Sequence, residues 1–400
     1  MNKNISKYFD YSATTPVDPR VVQAINPYWE DNFGNPSSFH DVGQEARVSL
    51  DEARENLANL LKVKYEEVIF TSGATESINT AHKSIVEALK GKVDNPKIIT
   101  TPIEHKAVLE SLEHLSVNGL TKIEFVKVDN TGTVLLDDLE SKIDDNTILL
   151  SIGLVNNEVG TIQPLQEVGQ LVKKINQKRG KGKVQLYFHS DITQAVGHTP
   201  FDLKCMELDM ASFSGHKFYA PKGVGVLFIK KGTPFTQQQS GGSQELRKRA
   251  GTENMPYIIG ITKALEIALS EQEKEISRLK QYQDKLIEQL SKIEGVTLTG
   301  GRQNRAIHIT SFIISGVEGE SVLIRLAQEG FQVSTGSACT SGELKPSHVL
   351  TSIGVKPENA HGSLRISLGR WTTQEEVDEF IRVFPGVIND LRNIGRGLLR

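Results

Sequence analysis

Through about the first 230 residues, short and almost uninterrupted apolar runs alternate with stretches that mix apolar and polar positions. The runs fall at 67–71, 97–101, 122–128, 147–155, 184–190 and 209–213. Strands read this way when helices cover both faces of a parallel sheet, so an α/β layer is predicted. A further run, 223–229, follows a tight turn too short for a crossover helix and is predicted to lie antiparallel. In such sheets ligands gather at the carboxyl ends of the strands. The residues that close each run are therefore the first candidates for function.

Near residue 260 the pattern changes. Leu265, Ala268, Leu269, Ile276, Leu279, Leu286 and Leu290 fall three, four or seven apart, between positions rich in Glu, Lys and Gln. One long helix over 261–293 is predicted to bridge two units. Beyond it the pattern predicts a strand at 307–315, a helix at 318–329, a short strand at 331–334 and a strand at 364–368. A helix follows, opened by the capping box Thr373-Gln374-Glu375-Glu376. The expected architecture is α/β. A large domain over 15–260, with a mainly parallel central sheet sandwiched by helices, joins a smaller α+β domain of 1–14 and 261–400.

Composition narrows the function classes. The 400 residues are 38% apolar and 24% charged, with a formal charge of −3, so no basic or acidic field points to nucleic acid or membrane. No apolar run approaches the roughly 18–20 residues that span a bilayer, and the first residues lack the apolar core of a secretory signal. The two cysteines, Cys205 and Cys339, lie far apart without CxxC spacing. That argues against a disulfide framework or a cysteine-based metal site and makes a reducing, cytoplasmic setting the expectation.

The residues closing the runs carry chemistry. Ser214-Gly215-His216-Lys217 sets one lysine beside a hydroxyl and an imidazole, just before a glycine-punctuated turn. Burial and neighbouring cations lower an amine's pKa, and a neutral amine can attack an aldehyde; the alternative is a solvated surface lysine. Thr71-Ser72-Gly73-Ala74-Thr75-Glu76 follows a strand and opens a helix, where backbone N–H groups and the Thr75 hydroxyl suit an anion, or serve as an ordinary N-cap. Neither GxGxxG nor a Walker sequence is present, which disfavours a dinucleotide or NTP.

Asp191, in His189-Ser190-Asp191-Ile192-Thr193-Gln194, closes another run. A buried strand-end carboxylate needs a cation, and a protonated pyridine nitrogen is one: that proton makes pyridoxal phosphate an electron sink. Gln194 could then meet the cofactor's phenolic oxygen; a helix N-cap aspartate is the alternative. His105, after Thr101-Pro102-Ile103-Glu104, suits stacking on a flat ring and moving protons, or a purely structural hydrogen bond. Asn156-Asn157-Glu158-Val159-Gly160 closes a fourth run, and its amides are equally turn formers.

These segments occur in order with Asp10-Tyr11-Ser12-Ala13-Thr14-Thr15-Pro16, Gly34-Asn35-Pro36-Ser37-Ser38-Phe39-His40 and Arg249-Ala250-Gly251-Thr252-Glu253-Asn254. Ser337-Ala338-Cys339-Thr340-Ser341-Gly342 and Leu364-Arg365-Ile366-Ser367-Leu368-Gly369-Arg370 complete the series. Across nearly its whole length the chain resembles the cysteine desulfurases of the NifS/IscS-type class, pyridoxal-phosphate enzymes of aminotransferase fold type I. Ser243, where a third glycine is common, is a small departure.

The resemblance implies Lys217 as the lysine that carries pyridoxal 5′-phosphate, Asp191 at the pyridine nitrogen, Gln194 at the phenolic oxygen and His105 stacked on the ring. It gives the phosphate to Ala74 (through its backbone), Thr75, Ser214 and His216. Thr252 would reach the phosphate of the other subunit of a homodimer. Arg365, helped by Asn156, would hold the substrate carboxylate, a pairing that can be bidentate. Without the family, Arg365 reads as a strand-end surface arginine.

The resemblance also implies that L-cysteine displaces Lys217 from the cofactor, that Lys217 and His105 move protons, and that the Cys339 thiolate attacks the substrate sulfur. Alanine and a Cys339 persulfide result, and the sulfur goes to an iron–sulfur scaffold or tRNA-thiolation protein. Cys339 sits among small polar residues, whereas Cys205, in Phe201-Asp202-Leu203-Lys204-Cys205-Met206, reads as a small buried hydrophobe. Rival readings are a selenocysteine lyase on the same scaffold, an aminotransferase, and a non-enzymatic sulfur relay. Lys217, Asp191 and His105 together argue against the last.

Overall fold

The computed structural model describes residues 6–180, 182–335 and 346–398, with side chains described as far as Ile394. One sheet contains β1 (Val68–Thr71), β2 (Lys97–Thr100), β3 (Lys122–Phe125), β4 (Thr147–Ser151), β5 (Tyr187–Asp191), β6 (Met210–Ser214) and β7 (Gly225–Ile229). Its order is β1-β7-β6-β5-β4-β2-β3. From β6 to β3 every neighbouring pair is parallel. β7 is antiparallel to both β6 and β1, as its short connection requires.

Alternating side chains of these strands feed two cores. Phe70, Leu150, Phe188, Phe213 and Phe228 pack against the helices Asp41–Leu61, Leu165–Arg179 and Met255–Ser270. Ile69, Ile98, Leu149, Met210 and Leu227 face the helices Ala74–Ala88 and Lys106–Val117. Both faces being covered explains the near-continuous apolar runs. β3, at the edge, is the exception, with Lys122 and Phe125 exposed.

A second, antiparallel sheet is ordered β10-β9-β8, from β8 (Val296–Leu298), β9 (Ile309–Ile314) and β10 (Ser363–Ser367). The helices Gln272–Leu290, Gly319–Gln328 and Gln374–Leu398 close a separate core over it, around Leu286, Phe312, Leu326, Ile366, Phe380 and Phe384. The expected capping box forms: Glu376 N–H donates to Thr373 Oγ1 at 3.2 Å and Thr373 N–H to Glu376 Oε2 at 3.1 Å. Among the described residues no helix is long and apolar enough to cross a membrane.

Three expectations need correction. The helix predicted over 261–293 is two helices, Met255–Ser270 and Gln272–Leu290, parted at Glu271. The first is buried in the large core and the second covers the small sheet, so each follows its own apolar face. We therefore propose Glu271 as the boundary between the two units. The strand expected at 331–334 is reduced to isolated bridges, Gln332 with Tyr8 and Ser334 with Arg365, and the three-residue β8 was not expected. Cys205 is exposed, not buried. Asp202 Oδ1 accepts the N–H groups of Lys204 and Cys205, curling the chain so that Leu203 takes the buried position.

The N-terminal segment ties the two units together. Phe9 belongs to the small core, Tyr11 N–H donates to the Ser367 carbonyl, and Thr15 N–H donates to the His216 carbonyl. It thus crosses the open ends of the large sheet.

Candidate active site

The carboxyl ends of β1, β2, β4, β5 and β6 open into one cavity of about 910 Å³. Ala74, Thr75, His105, Asn156, Asp191, Gln194, Ser214, His216, Lys217 and Arg365 all line it. Nine of these ten residues lie at or just beyond strand ends of the large sheet, and Arg365 comes from β10 of the second sheet. Thr252 does not line this cavity and is exposed. Cys339 lies outside the described residues.

Lys217 closes the short helical turn after β6 and is directed by two backbone acceptors, the Ser12 carbonyl at 2.6 Å and the Ala13 carbonyl at 2.7 Å. Those carbonyls come from the N-terminal crossing segment. Asp191 ends β5, its Oδ1 accepting the Thr193 N–H at 2.9 Å. Gln194 donates from Nε2 to the Ser12 carbonyl at 3.0 Å.

His105 caps the helix Lys106–Val117, accepting the Ala107 N–H on Nδ1 at 3.0 Å. In the neutral ring the proton therefore sits on Nε2. Burial holds this imidazole below its ordinary pKa and Lys217 adds to the effect, against the pull of Asp191. His216 is pushed down to about 4 by burial and by the Lys217 and Lys222 charges, so it stays neutral beside Thr14 Oγ1.

Beside these groups the helix Ala74–Ala88 begins without a side-chain cap. Its first N–H groups are left to an anion rather than to the chain. The turn before it packs so closely that a Cβ on Gly225 would lie 2.6 Å from Gly73 Cα. Glycine at 225 is what lets this helix end sit against Ser214.

Arg365 is buried, so its reading as a surface group fails. Nη2 pairs with Asp10 Oδ1 at 2.8 Å and Nη1 donates to the Asn157 carbonyl at 3.0 Å. Nε has no partner among the described residues. A buried donor without an acceptor is costly, and a ligand carboxylate would satisfy it. Asn156 turns the loop: Oδ1 accepts the Glu158 and Val159 N–H groups and Nδ2 donates to the Ile103 carbonyl. Its turn-forming role is real, and its second Nδ2 hydrogen is not used there.

Two cavity-lining hydroxyls, Ser12 Oγ and Thr193 Oγ1, are buried without a partner among the described residues. With an uncapped helix end for a phosphate, a carboxylate for a pyridine nitrogen and a lysine amine lining the same cavity, this donor set fits pyridoxal phosphate.

Sequence reasoning gave no role to the carbonyls of Ser12 and Ala13, to Asp10, or to two buried acids. Glu104 accepts from Thr101 Oγ1 and Gly153 N–H, and Glu158 accepts from Ser347 Oγ. Burial pushes each up to about 7, with Asp191 adding for Glu104 and with Ser347 and Arg365 opposing for Glu158. A carboxyl whose folded pKa exceeds its unfolded value stabilises fully below the unfolded pKa, near 4.5, and loses that stabilisation as pH rises through about 7. Glu158→Gln should therefore flatten the fall in stability between pH 5 and 7.5 by on the order of 2 kcal/mol. Urea unfolding at the two pH values reads this directly, and equal falls in both proteins would refute it.

The model of the aminotransferase class-V family matches residues 7–380. The cysteine desulfurase IscS of Dictyoglomus turgidum is 46% identical over 97% of this chain and 95% of its own. That of Methanosarcina thermophila is 44% identical over 98% of this chain and 94% of its own. A solved NifS-like protein superposes with a TM-score of 0.89 at 39% identity, covering 96% of this chain and all of that one.

Proposed function

As a member of the class-V aminotransferases, and within them of the cysteine desulfurases, the chain takes sulfur from L-cysteine, and we propose that it does so with pyridoxal 5′-phosphate on Lys217. The observation that carries this reading is the convergence of Lys217, Asp191, Gln194 and an uncapped helix end on one cavity beside a buried arginine with an unmatched N–H.

Asp191 would pair with the pyridine nitrogen, Gln194 with the phenolic oxygen, and His105 would stack on the ring. Ala74 N–H, Thr75, Ser214 and His216 would hold the phosphate, with Thr252 serving the other subunit of a homodimer. When bound, the cofactor supplies an electron sink that weakens the bonds at the substrate's Cα and, in turn, its Cβ–S bond.

The chain's own groups do the rest. Arg365 and Asn156 fix the substrate carboxylate and so orient the Cα–H bond. Lys217 Nζ takes the Cα proton and returns it, and His105 Nε2 shares that transfer. The Cys339 thiolate attacks the substrate sulfur: the S–S bond forms as Cβ–S breaks, and the carbon fragment keeps the electron pair and gains a proton. L-cysteine and one enzyme thiol thus become L-alanine and a Cys339 persulfide. We propose a cytoplasmic enzyme that passes this sulfur to an iron–sulfur scaffold or tRNA-thiolation protein.

Loaded protein given L-cysteine and a thiol reductant should release alanine and sulfide in equal amounts. Arg365→Ala should lower kcat/KM by about 2–5 kcal/mol, mainly through KM, since it removes a buried charge partner. Amino transfer to a keto acid in place of alanine would mark the chain as an aminotransferase. An unchanged kcat/KM would remove Arg365 from the site.

A further inference from the structure

Two imidazoles that the proposed reaction does not use are stacked behind the cavity. His198 follows the Asp191–Gln194 turn and His308 immediately precedes β9. Their ring centroids are 4.0 Å apart and their planes 21° from parallel. Both are buried, and each reaches one member of the candidate site. His198 Nε2 lies 3.3 Å from the Lys217 carbonyl oxygen, and His308 Nε2 lies 3.2 Å from Gln194 Oε1. Both partners are oxygens, so both Nε2 atoms carry a proton and donate. Burial holds the two rings neutral, His198 down to about 4 and His308 well below its ordinary value.

We propose that His308 is a positioning residue, whose Nε2–H fixes which way round the Gln194 carboxamide faces the cofactor's phenolic oxygen. The inference rests on the cofactor reading above. The Gln194 amide is held at both ends: Nε2 donates to the Ser12 carbonyl at 3.0 Å while Oε1 accepts from His308. Turned over, it would set Oε1 against that carbonyl and Nε2 against the His308 N–H, losing both hydrogen bonds in a buried place. His308 could rescue the flipped amide only by moving its proton to Nδ1, which has no acceptor among the described residues. With the amide held this way, the second Nε2 hydrogen is left for a third acceptor. The same Ser12 carbonyl also receives Lys217 Nζ at 2.6 Å, and the stacked His198 holds the Lys217 backbone. Lysine and glutamine are thus set relative to one another through one carbonyl and one imidazole pair.

The test titrates the visible absorption of bound pyridoxal phosphate in the wild type, Gln194→Leu, His308→Leu and His308→Gln. A donor on the phenolic oxygen stabilises its anion and loosens a proton shared with the neighbouring nitrogen. Loss of that donor therefore moves the midpoint upward. His308→Leu should raise it by about 0.5 pH unit or more, in the same direction as Gln194→Leu. His308→Gln, whose side-chain N–H reaches about as far as Nε2, should restore the wild-type midpoint. A midpoint unchanged in His308→Leu but shifted in Gln194→Leu overturns the proposal and leaves the cofactor reading standing. Wild-type protein that takes up no pyridoxal phosphate overturns that reading, and this proposal with it. Should His308→Leu fail to fold, His308→Asn against His308→Gln gives the same contrast, because the shorter amide falls short of Gln194. A shift in the asparagine variant alone supports the proposal, and equal midpoints overturn it.

Discussion

Lys217→Ala should yield a folded protein that shows no covalently held cofactor and no measurable desulfuration. Among the described residues the substitution removes the hydrogen bonds from Nζ to the Ser12 and Ala13 carbonyls. Each is worth about 1 kcal/mol net, a loss that a chain with separate, well-filled cores should survive. The chemical loss is far larger. The amine is the group that would hold pyridoxal phosphate, and in the proposed reaction it would also take the proton from the substrate's Cα. A positioned acid–base group contributes about 10²–10⁴-fold, and removing the covalent hold as well should take the loss beyond about 10⁴-fold. Borohydride reduction followed by peptide mass analysis should find the cofactor on the wild-type peptide that contains Lys217 and nowhere in the variant. Desulfuration at even a hundredth of the wild-type rate would sink the assignment.

The candidate site was legible in sequence wherever its residues close a strand. Asp191 ends β5 and Lys217 follows β6, and the apolar runs before them are visible because helices bury both faces of that sheet. The antiparallel β7 was legible for a similar reason: the six residues between Phe218 and Gly225 cannot hold a crossover helix, whatever their identity. Contacts across long separations left no such trace. Nothing in the period of residues 8–16 says that the Ser12 carbonyl will meet Lys217 and Gln194, or that Asp10 will meet Arg365. Arg365 itself looks like a surface group, because a buried arginine differs from an exposed one only in what folds over it. The break at Glu271 was hidden because helical periodicity persists on both sides while the partner surface changes. Cys205 misled through composition, since an aspartate-capped turn rather than the cysteine's own hydrophobicity decides which side chain points inward.

Cys339→Ser should keep the cofactor's visible spectrum and abolish persulfide. Cys339 lies outside the described residues, but the chain on either side of it is anchored at the cavity. Ser334 exchanges two backbone hydrogen bonds with Arg365, at 3.2 and 2.7 Å. On the far side Pro346, Ser347 and His348 line the cavity, with Ser347 on Glu158 and His348 Nε2 on the Glu104 carbonyl. In sequence, Cys339 stands four residues after Thr335, next to the residue that pairs with Arg365. An unperturbed thiol, with a pKa of about 8.5, is only a few per cent thiolate at neutral pH, but that fraction is intrinsically strongly nucleophilic. A serine hydroxyl is not ionised under those conditions and makes no stable bond to a sulfur leaving carbon. Sulfur transfer should therefore fall by at least about 10³-fold while binding is unaffected. The exposed Cys205 supplies the control, because it is the chain's other cysteine and solvent and reagents can reach it. Cys205→Ser should behave as wild type, and the added sulfur should be found by mass analysis on the Cys339 peptide alone. Persulfide on Cys205, or undiminished sulfide release by Cys339→Ser, would transfer the nucleophile's role elsewhere.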